Sequence, residues 1–309
     1  MVIILNYNKP YDTFRCVNSF IENEGNSADI LVIDNGSSLS NFRVLLEKLI
    51  PLGFLYVDNE EHVPGKLDRI VFRSEKNLGY ARGNNIGLKY ANKLGYKYSV
   101  IVNNDIIFVQ PVLAELRKVL DSDEKVGVVA PKVVDPKGSA QVAFFPLRRI
   151  TYFEILLYPF FYYKILEKSN QRWLSEISKH NVIKVPELSG CFLMFKTKVI
   201  TLVKFLDENT FLYNEELILF DKLKQSNFEA LKVNIVKVIH AHNDTRESPF
   251  SFNRRKRFFL KSLLYYLDRY RGIKGFGKYL VGLFKLVAWP LCGTIGFYFK
   301  ILTGNLKDV

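Results

Sequence analysis

Short apolar runs alternate with amphipathic stretches along the first third of the chain. Runs with the length of buried strands lie at residues 2–5, 30–33, 70–73 and 100–102. Stretches with apolar residues at helical spacing lie between them, at residues 11–23, 39–49 and 80–94. Strands that alternate with helices in this way predict an α/β fold with a Rossmann-like, mostly parallel sheet and flanking helices.

Polar residues stand directly after three of these predicted strands. The three groups are Asn6-Tyr7-Asn8, Asp34-Asn35-Gly36 and Asn103-Asn104-Asp105. Ligands of open parallel sheets bind in the crevice outside the carboxyl ends of the strands. The pattern therefore predicts a nucleotide or phosphate site at this edge, and it leaves the reaction open.

The alternation becomes irregular after about residue 110. Residues 152–165 are rich in aromatic side chains and predict a lid or a helical insertion. Residues 182–185 and 191–195 predict two strands around a turn at 187–190. After residue 110 the pattern therefore identifies individual elements and no regular alternation of strands and helices.

The net charge of +13 predicts attraction to an anionic partner. The basic run Arg254-Arg255-Lys256-Arg257 is followed by aromatic and aliphatic residues. Nucleic-acid-binding proteins place basic residues on polar faces or grooves, whereas a basic run beside an apolar stretch is typical of a membrane surface. We expect an anionic membrane surface as partner and no nucleic acid.

The C-terminal region divides into two unlike stretches. Residues 253–272 have the spacing of a basic amphipathic helix, and residues 278–302 are mostly apolar. Helices in the membrane interface, a transmembrane span and a packed or oligomeric tail all stay open for the second stretch, although Lys285 and Pro290 oppose a span. The predicted organisation is a domain at 1–250 and amphipathic, membrane-associating helices at 251–309, with a homo-oligomer as one outcome.

The cysteines and the N-terminus indicate a cellular setting. Cys16, Cys191 and Cys292 are far apart and lack metal-ligand spacing, which predicts neither a disulfide framework nor a zinc site. The first residues lack the basic segment and the long apolar segment of a signal peptide, so they are interpreted as a buried strand. We expect a cytoplasmic protein, peripheral at the inner face of the cell membrane.

Seven ordered motifs carry a resemblance to a known family. They are LNYN (5–8), VIDNGSS (32–38), NLGYARGNNIGL (77–88), VNND (102–105), LSGCFLMFKTKVI (188–200), FLYNEEL (211–217) and the histidines at 240 and 242. Over about residues 1–246 the chain resembles family 2 of the inverting glycosyltransferases, which have the GT-A fold. The similar members are rhamnosyltransferase-like enzymes of bacterial surface polysaccharides.

The resemblance implies a donor site for a nucleotide-diphosphate sugar. Asp34 matches the acid that binds the nucleotide base, although Asp-Asn-Gly also suits a plain turn. Gly79 and Asn84 match a donor loop that begins a helix, where exposed amides bind anions. Arg82 either contacts the diphosphate or is a solvated helix residue. The predicted donor-binding residues are Asn6, Tyr7, Asn8, Asp34, Asn35, Asn77, Gly79, Arg82, Asn84, Asn103 and Asn104.

The resemblance also implies a divalent cation, Mg²⁺ or Mn²⁺. Asn103-Asn104-Asp105 stands in the place of the family's DxD-type motif, with Asn103 in place of its first acid. Asp105 is the expected carboxylate ligand, and the family places a histidine nearby. His240 and His242 are both candidates, with His240 favoured.

The general base is assigned by position in the FLYNEEL motif. Glu216 falls where relatives carry a catalytic aspartate, and Ile218 replaces a further acid. A carboxylate within reach of the acceptor hydroxyl can remove its proton. Glu215 is the alternative base, and a surface charge pair is the plain interpretation. Gly190 matches a turn on the acceptor side, where a side chain would collide with the sugar.

These assignments predict a metal-dependent, inverting sugar transfer. The donor expected from the resemblance is a UDP- or dTDP-sugar, with dTDP-rhamnose as one candidate. The expected acceptor is a glycan or a lipid-linked sugar in bacterial cell-surface polysaccharide synthesis. The alternative is a catalytically weakened or inactive homologue that binds the donor, because the acid at position 218 is missing.

Overall fold

The computed structural model describes residues 1–58, 68–140, 179–241 and 250–275. The strands in these ranges are β1 (Val2–Asn6), β2 (Ile30–Asn35), β3 (Leu55–Val57), β4 (Arg69–Ser74), β5 (Tyr98–Asn103), β6 (Ile106–Phe108), β7 (Val126–Val134), β8 (Val182–Val185), β9 (Phe192–Lys196) and β10 (Glu229–His240). The helices are α1 (Pro10–Glu24), α2 (Leu39–Leu49), α3 (Tyr80–Lys93), α4 (Leu113–Asp121), α5 (Thr197–Leu202), α6 (Glu215–Gln225) and α7 (Phe252–Arg269), with a 3₁₀ turn at Ile50–Leu52.

One sheet joins all of these strands. Its order is β3-β4-β2-β1-β5-β9-β7-β10-β6, and β8 pairs with β10. The pairs among β3, β4, β2, β1 and β5 are parallel, as is β7 with β10. Strands β6, β8 and β9 pair antiparallel with their neighbours. The predicted α/β class with a mostly parallel sheet and flanking helices is confirmed.

The two faces of the sheet bury separate apolar layers. Alternate residues of β1 point to opposite sides, so Val2 and Ile4 join one layer and Ile3 joins the other. Helices α1, α2 and α4 cover the first layer, and α3, α5 and α6 cover the second. The strands are consequently apolar on both faces, as buried parallel strands are.

The irregular sequence pattern after residue 110 conceals regular secondary structure. Helix α4 and the nine-residue strand β7 follow residue 110, and β10 is twelve residues long. Gly127 and Pro131 interrupt the β7 sequence and hide its strand character. Pro131 has no N–H for the ladder, and the register of β10 shifts between Val233 and Lys237 directly after its pairing with Pro131.

The predicted amphipathic helix at 253–272 is confirmed as α7, which packs on α6. Ile218 of α6 is fully buried against Leu263, Tyr266 and Leu267 of α7. The hydroxyl of Tyr266 donates to Asp221 Oδ2 at 2.9 Å. Helix α7 therefore contacts the preceding domain directly, and a domain boundary at residue 250 stays a prediction.

Several predictions fall outside the described residues. The lid at 152–165, the apolar stretch at 278–302, Cys292 and His242 belong to this group. Cys16 and Cys191 are buried free thiols. In the part of the chain that the structure describes, none of the helices is sufficiently long and apolar to span a bilayer.

Candidate active site

The carboxyl ends of β1, β2 and β5 meet at one edge, as their parallel register requires. Asn6 pairs with Asp34 across β1 and β2, and the neighbouring Leu5 pairs with Asn103. The Asn6 amide donates to Asp34 Oδ1 at 2.7 Å, and Asn6 Oδ1 accepts from the Thr13 hydroxyl at 2.9 Å. The structure thus brings the three predicted polar clusters together.

Asp34 is fully buried at this edge, with 0% of its surface exposed. Burial raises the pKa of Asp34, and hydrogen bonds from Ser37 and Asn6 together with the charge of Arg73 oppose that rise. The side chains of Asn6 and Asp34 are thus occupied within the protein. Direct contact of either with a nucleotide base stays a prediction.

Arg73 is a site residue that sequence reasoning missed. Its Nε lies 3.5 Å from Asp34 Oδ2, and its guanidinium covers the Phe42 ring at 4.4 Å from the centroid. The strand register places Arg73 directly beside Asp34. A search of strand ends for opposite charges would have found it.

Asn35 holds the predicted donor loop at residues 77–79. Its Oδ1 accepts from the Leu78 N–H at 3.0 Å, and its Nδ2 donates to the Gly79 carbonyl at 3.1 Å and to Asn77 Oδ1 at 3.2 Å. Gly36 next to it has φ +74°, and a Cβ there would lie 2.3 Å from the Lys76 carbonyl carbon. The tight turn predicted for Gly36 is therefore needed for contact between the turn after β2 and the donor loop.

Gly79 itself abuts a distant segment of the chain. A Cβ on Gly79, whose φ is +85°, would lie 2.4 Å from the Phe211 carbonyl oxygen. That carbonyl accepts from the Tyr80 N–H at 2.8 Å. The donor loop and the loop before α6 are thus joined backbone to backbone, and any side chain at position 79 would separate them.

Two further predicted donor residues have different surroundings. Asn84 is fully buried, and its Nδ2 donates to the Tyr80 carbonyl at 3.0 Å. The Arg82 side chain is 52% exposed, and its Nε donates to the Glu208 carbonyl at 3.0 Å. Of the two interpretations of Arg82, this placement matches the solvated helix residue.

Asn8 and Tyr7 have distinct roles after β1. Asn8 Oδ1 accepts from the Ser38 N–H at 2.8 Å and from Asn41 Nδ2 at 3.0 Å, which fixes the start of α2. The Tyr7 ring stacks on Phe250 with centroids 5.8 Å apart. Phe250 also contacts Phe211, so an aromatic cluster that sequence reasoning missed lies beside the donor loop.

Asp105 and His240 form the predicted ligand pair. Asp105 Oδ1 lies 3.1 Å from His240 Nε2, and the two side chains are 21% and 13% exposed. The backbone secures this pair, because His240 pairs with Ile106 and the Ala241 N–H donates to the Asp105 carbonyl at 2.9 Å. The structure places His240 beside Asp105, and His242 lies outside the described residues.

The chemistry of the pair suits a divalent cation with incomplete protein coordination. In the described residues, no third histidine, cysteine or acid joins the two in a metal-binding group. Water and phosphate oxygens would therefore complete the coordination of a cation. A mixed nitrogen and oxygen set suits Mn²⁺ better than Mg²⁺, which prefers oxygen ligands.

The two asparagines before Asp105 bond to α1 and to the segment after Gly190. Asn104 Nδ2 donates to the Thr13 hydroxyl at 3.0 Å. The Asn103 N–H donates to the Cys191 carbonyl at 2.8 Å, and its carbonyl accepts from Cys16 Sγ at 3.6 Å. Asn104 is thus held to α1, and Asn103 links β5 to the segment that follows Gly190.

Glu216 lies against the predicted acceptor turn. A Cβ on Gly190 would lie 2.4 Å from Glu216 Oε1, so the carboxylate occupies the space that a side chain at 190 would need. Burial raises the pKa of Glu216, and hydrogen bonds from its own backbone and that of Gly190 oppose the rise. Gly190 and Glu216, 26 positions apart in sequence, form one surface.

Glu215 and Glu187 are two further acids whose pKa values the charge of Glu216 raises. Glu215 is 3% exposed, and its Oε2 has no hydrogen-bond partner. Burial, followed by the charge of Glu216, raises the pKa of Glu215 well above its ordinary value. Burial, followed by the charges of Glu216 and Asp221, raises the pKa of Glu187 to about 8. At neutral pH Glu216 is consequently the acid of the three best able to carry a charge.

Solved structures show the fold to which this arrangement belongs. The crystal structure of GalNAc-T7 with UDP, GalNAc and Mn²⁺ matches 86% of this chain at 16% identity and a TM-score of 0.59. The chain spans about half of that protein, 47%. The mannosyltransferase PcManGT from Pyrobaculum calidifontis, in complex with GDP-Man and Mn²⁺, matches all of this chain and 75% of its own length, at 14% identity and a TM-score of 0.55.

The likeness to solved structures establishes a GT-A-like fold. No curated protein sequence matches the chain significantly. Residues 1–200 match the profile described as glycosyl transferase family 2. Because this match covers more than half of the chain, the protein belongs to glycosyl transferase family 2.

Proposed function

We propose that this glycosyltransferase transfers a sugar, with inversion, from a UDP- or dTDP-sugar to a glycan or lipid-linked acceptor of bacterial cell-surface polysaccharide. The observation that carries the proposal is the meeting of the Asp105–His240 pair, the donor loop and the Glu216 carboxylate at one sheet edge. The rhamnosyltransferase-like motifs make dTDP-rhamnose the first donor to test.

Each group of site residues has a separate role in the proposed reaction. Glu216 takes the proton of the acceptor hydroxyl, whose oxygen then bonds to the anomeric carbon as the bond to the diphosphate oxygen breaks. The positive end of the α3 helix dipole would stabilise the departing diphosphate, while the Tyr80 N–H stays bonded to the Phe211 carbonyl. Asp105 and His240 would hold the divalent cation, which when bound neutralises the charge that grows on the leaving group.

A thermal shift with a nucleotide panel tests the donor class. At a nucleotide concentration of about 100 times Kd, binding adds about 2.7 kcal/mol to the free energy of unfolding. For a domain of this size that corresponds to a rise in Tm of roughly 5–10 °C. We expect this rise with UDP or dTDP plus MnCl₂, and a clearly smaller one with GDP or without the cation.

Product analysis completes that test. Incubation with the stabilising donor and an acceptor panel should produce a glycoside whose anomeric configuration, read by NMR, is opposite to that of the donor. A rise in Tm with GDP and none with UDP or dTDP would contradict the donor class. A retained configuration would contradict the direct displacement.

A second candidate is a homologue that binds the donor and has lost turnover. Its support is the absence of an acid at Ile218, where α7 packs instead. Donor binding measured by calorimetry, with neither transfer nor donor hydrolysis, would favour it. The intact contact between Glu216 and Gly190 favours the catalytic function.

We further propose that α7 binds an anionic membrane surface. Arg254, Arg257 and Lys261 are exposed at helical spacing, so they share the outer face of a helix whose inner face packs on α6. Each basic residue near an anionic surface contributes about 1 kcal/mol. The apolar stretch at 278–302 follows in sequence. This arrangement would bring the active site to lipid-linked acceptors.

Charge reversal on this face tests the membrane proposal. The triple change Arg254→Glu, Arg257→Glu and Lys261→Glu should weaken binding to vesicles with anionic phosphatidylglycerol at least roughly 100-fold. Vesicle co-sedimentation measures the effect. The control triple Arg43→Glu, Arg117→Glu and Lys118→Glu changes the net charge equally at exposed sites elsewhere and should bind as wild type does. Equal loss in both triples would show that only net charge matters.

A further inference from the structure

Tyr80 joins segments of the site that are far apart in sequence. It is the first residue of α3 and follows the donor loop directly. Its N–H donates to the Phe211 carbonyl at 2.8 Å, which ties it to the loop before Glu215 and Glu216. Its hydroxyl donates to the Gly190 carbonyl at 2.5 Å. One residue thus contacts both the base-bearing loop and the acceptor turn.

The hydroxyl of Tyr80 is suited to stay a neutral donor. Burial raises the pKa of Tyr80 well above its ordinary value, and the acids Glu216, Glu215 and Asp105 raise it further. These same acids are the groups proposed for proton removal and for cation binding. A permanent O–H in this position fixes the direction of the hydrogen bond toward Gly190.

The backbone of Gly190 links the Tyr80 hydroxyl to Glu216, the proposed base. The space above its Cα is filled by Glu216 Oε1, which a Cβ would approach to 2.4 Å. A backbone hydrogen bond from Gly190 also lowers the pKa of Glu216. The backbone of Gly190 therefore lies between the two side chains: its N–H bonds to the Glu216 carboxylate, and its carbonyl accepts from the Tyr80 hydroxyl.

We propose that Tyr80 is a positioning residue that sets the Glu216 carboxylate relative to the donor loop through the backbone of Gly190. This inference rests on the proposed function and adds a residue to it. The aromatic ring of Tyr80 by itself fills the space that the side chain occupies, and phenylalanine keeps that ring. The hydroxyl is needed to hold the turn, so the change Tyr80→Phe isolates its contribution.

The expected result is a loss of turnover without a loss of donor binding. A displacement of about 1 Å in a catalytic group can cost about 100-fold in rate. We expect Tyr80→Phe to lower kcat by about 10- to 100-fold, while the donor Kd from calorimetry stays within about twofold. The Tyr80 N–H and Gly79 contacts with Phe211 do not involve the hydroxyl, so the donor loop keeps its shape.

Tyr96→Phe is the matched control. The Tyr96 hydroxyl donates to Asp29 Oδ2 near the start of β2, at the opposite edge of the sheet. The control also removes one tyrosine hydroxyl with a protein partner. Its kcat and donor Kd should both stay within about twofold of wild type, which separates a local effect from general destabilisation.

Hydrogen exchange provides a readout that needs no substrate. In Tyr80→Phe, backbone amides in segments 188–191 and 215–217 should exchange faster than in wild type, and in Tyr96→Phe they should not. Unchanged exchange in these segments, unchanged kcat, or a donor Kd that rises in step with the loss of kcat would each overturn the inference. If the wild-type protein transfers no sugar and Tyr80→Phe still speeds exchange in these segments, the proposed function is refuted and the structural link between Tyr80 and Gly190 stands.

Discussion

Replacing Asp105 by alanine is expected to lower kcat by at least about 1000-fold, because this side chain is the carboxylate beside His240 at the cation position. A nitrogen ligand alone holds Mn²⁺ weakly, so the charge on the departing diphosphate would be poorly neutralised. The backbone of residue 105 should stay in place, since its carbonyl accepts from the Ala241 N–H independently of the side chain.

Metal titration separates loss of the cation from loss of the fold. Wild type treated with EDTA should lose activity and regain it with Mn²⁺, whereas Asp105→Ala should bind Mn²⁺ weakly by calorimetry with UDP or dTDP present. Asp121→Ala is the control, because its carboxylate contacts Lys97 and Tyr98 on the surface. Full activity in both the stripped enzyme and Asp105→Ala would remove the cation from the proposal.

The ends of the strands could be predicted from sequence because they depend on local signals. Apolar runs end where Asn6, Asp34 and Asn103 begin, and parallel register brings such ends together. The same reasoning could not show what the amides do there. Asn6 and Asn35 bond within the protein and hold the site, since their partners are set by tertiary contact.

Long-range contacts account for the features that sequence reasoning missed. The approach of Gly79 to Phe211 spans more than one hundred residues, and no periodicity encodes it. The burial of Ile218 under α7 has the same origin. It offers a physical reason for the missing acid at position 218, since a charged side chain there would be buried in an apolar contact.

Glu216→Gln is expected to lower kcat by about 100- to 10,000-fold, because an amide of the same shape cannot accept the acceptor's proton. The Kd of the donor should stay unchanged, since the donor loop contacts Phe211 and Asn35 rather than Glu216. Burial raises the pKa of Glu216, and a base must be ionised to act. The kcat of wild type should therefore fall as pH drops through a pKa above the ordinary glutamate value.

Glu215→Gln separates the two candidate bases. Burial, followed by the charge of Glu216, raises the pKa of Glu215 well above its ordinary value and so favours its neutral form, for which glutamine is a neutral substitute; kcat should stay within about threefold of wild type. Single-turnover rates of both variants across a pH series measure the difference. A large loss in Glu215→Gln with little change in Glu216→Gln would transfer the base to Glu215. That result would require Oε2 of Glu215, buried without a hydrogen-bond partner, to be exposed to the acceptor during the reaction.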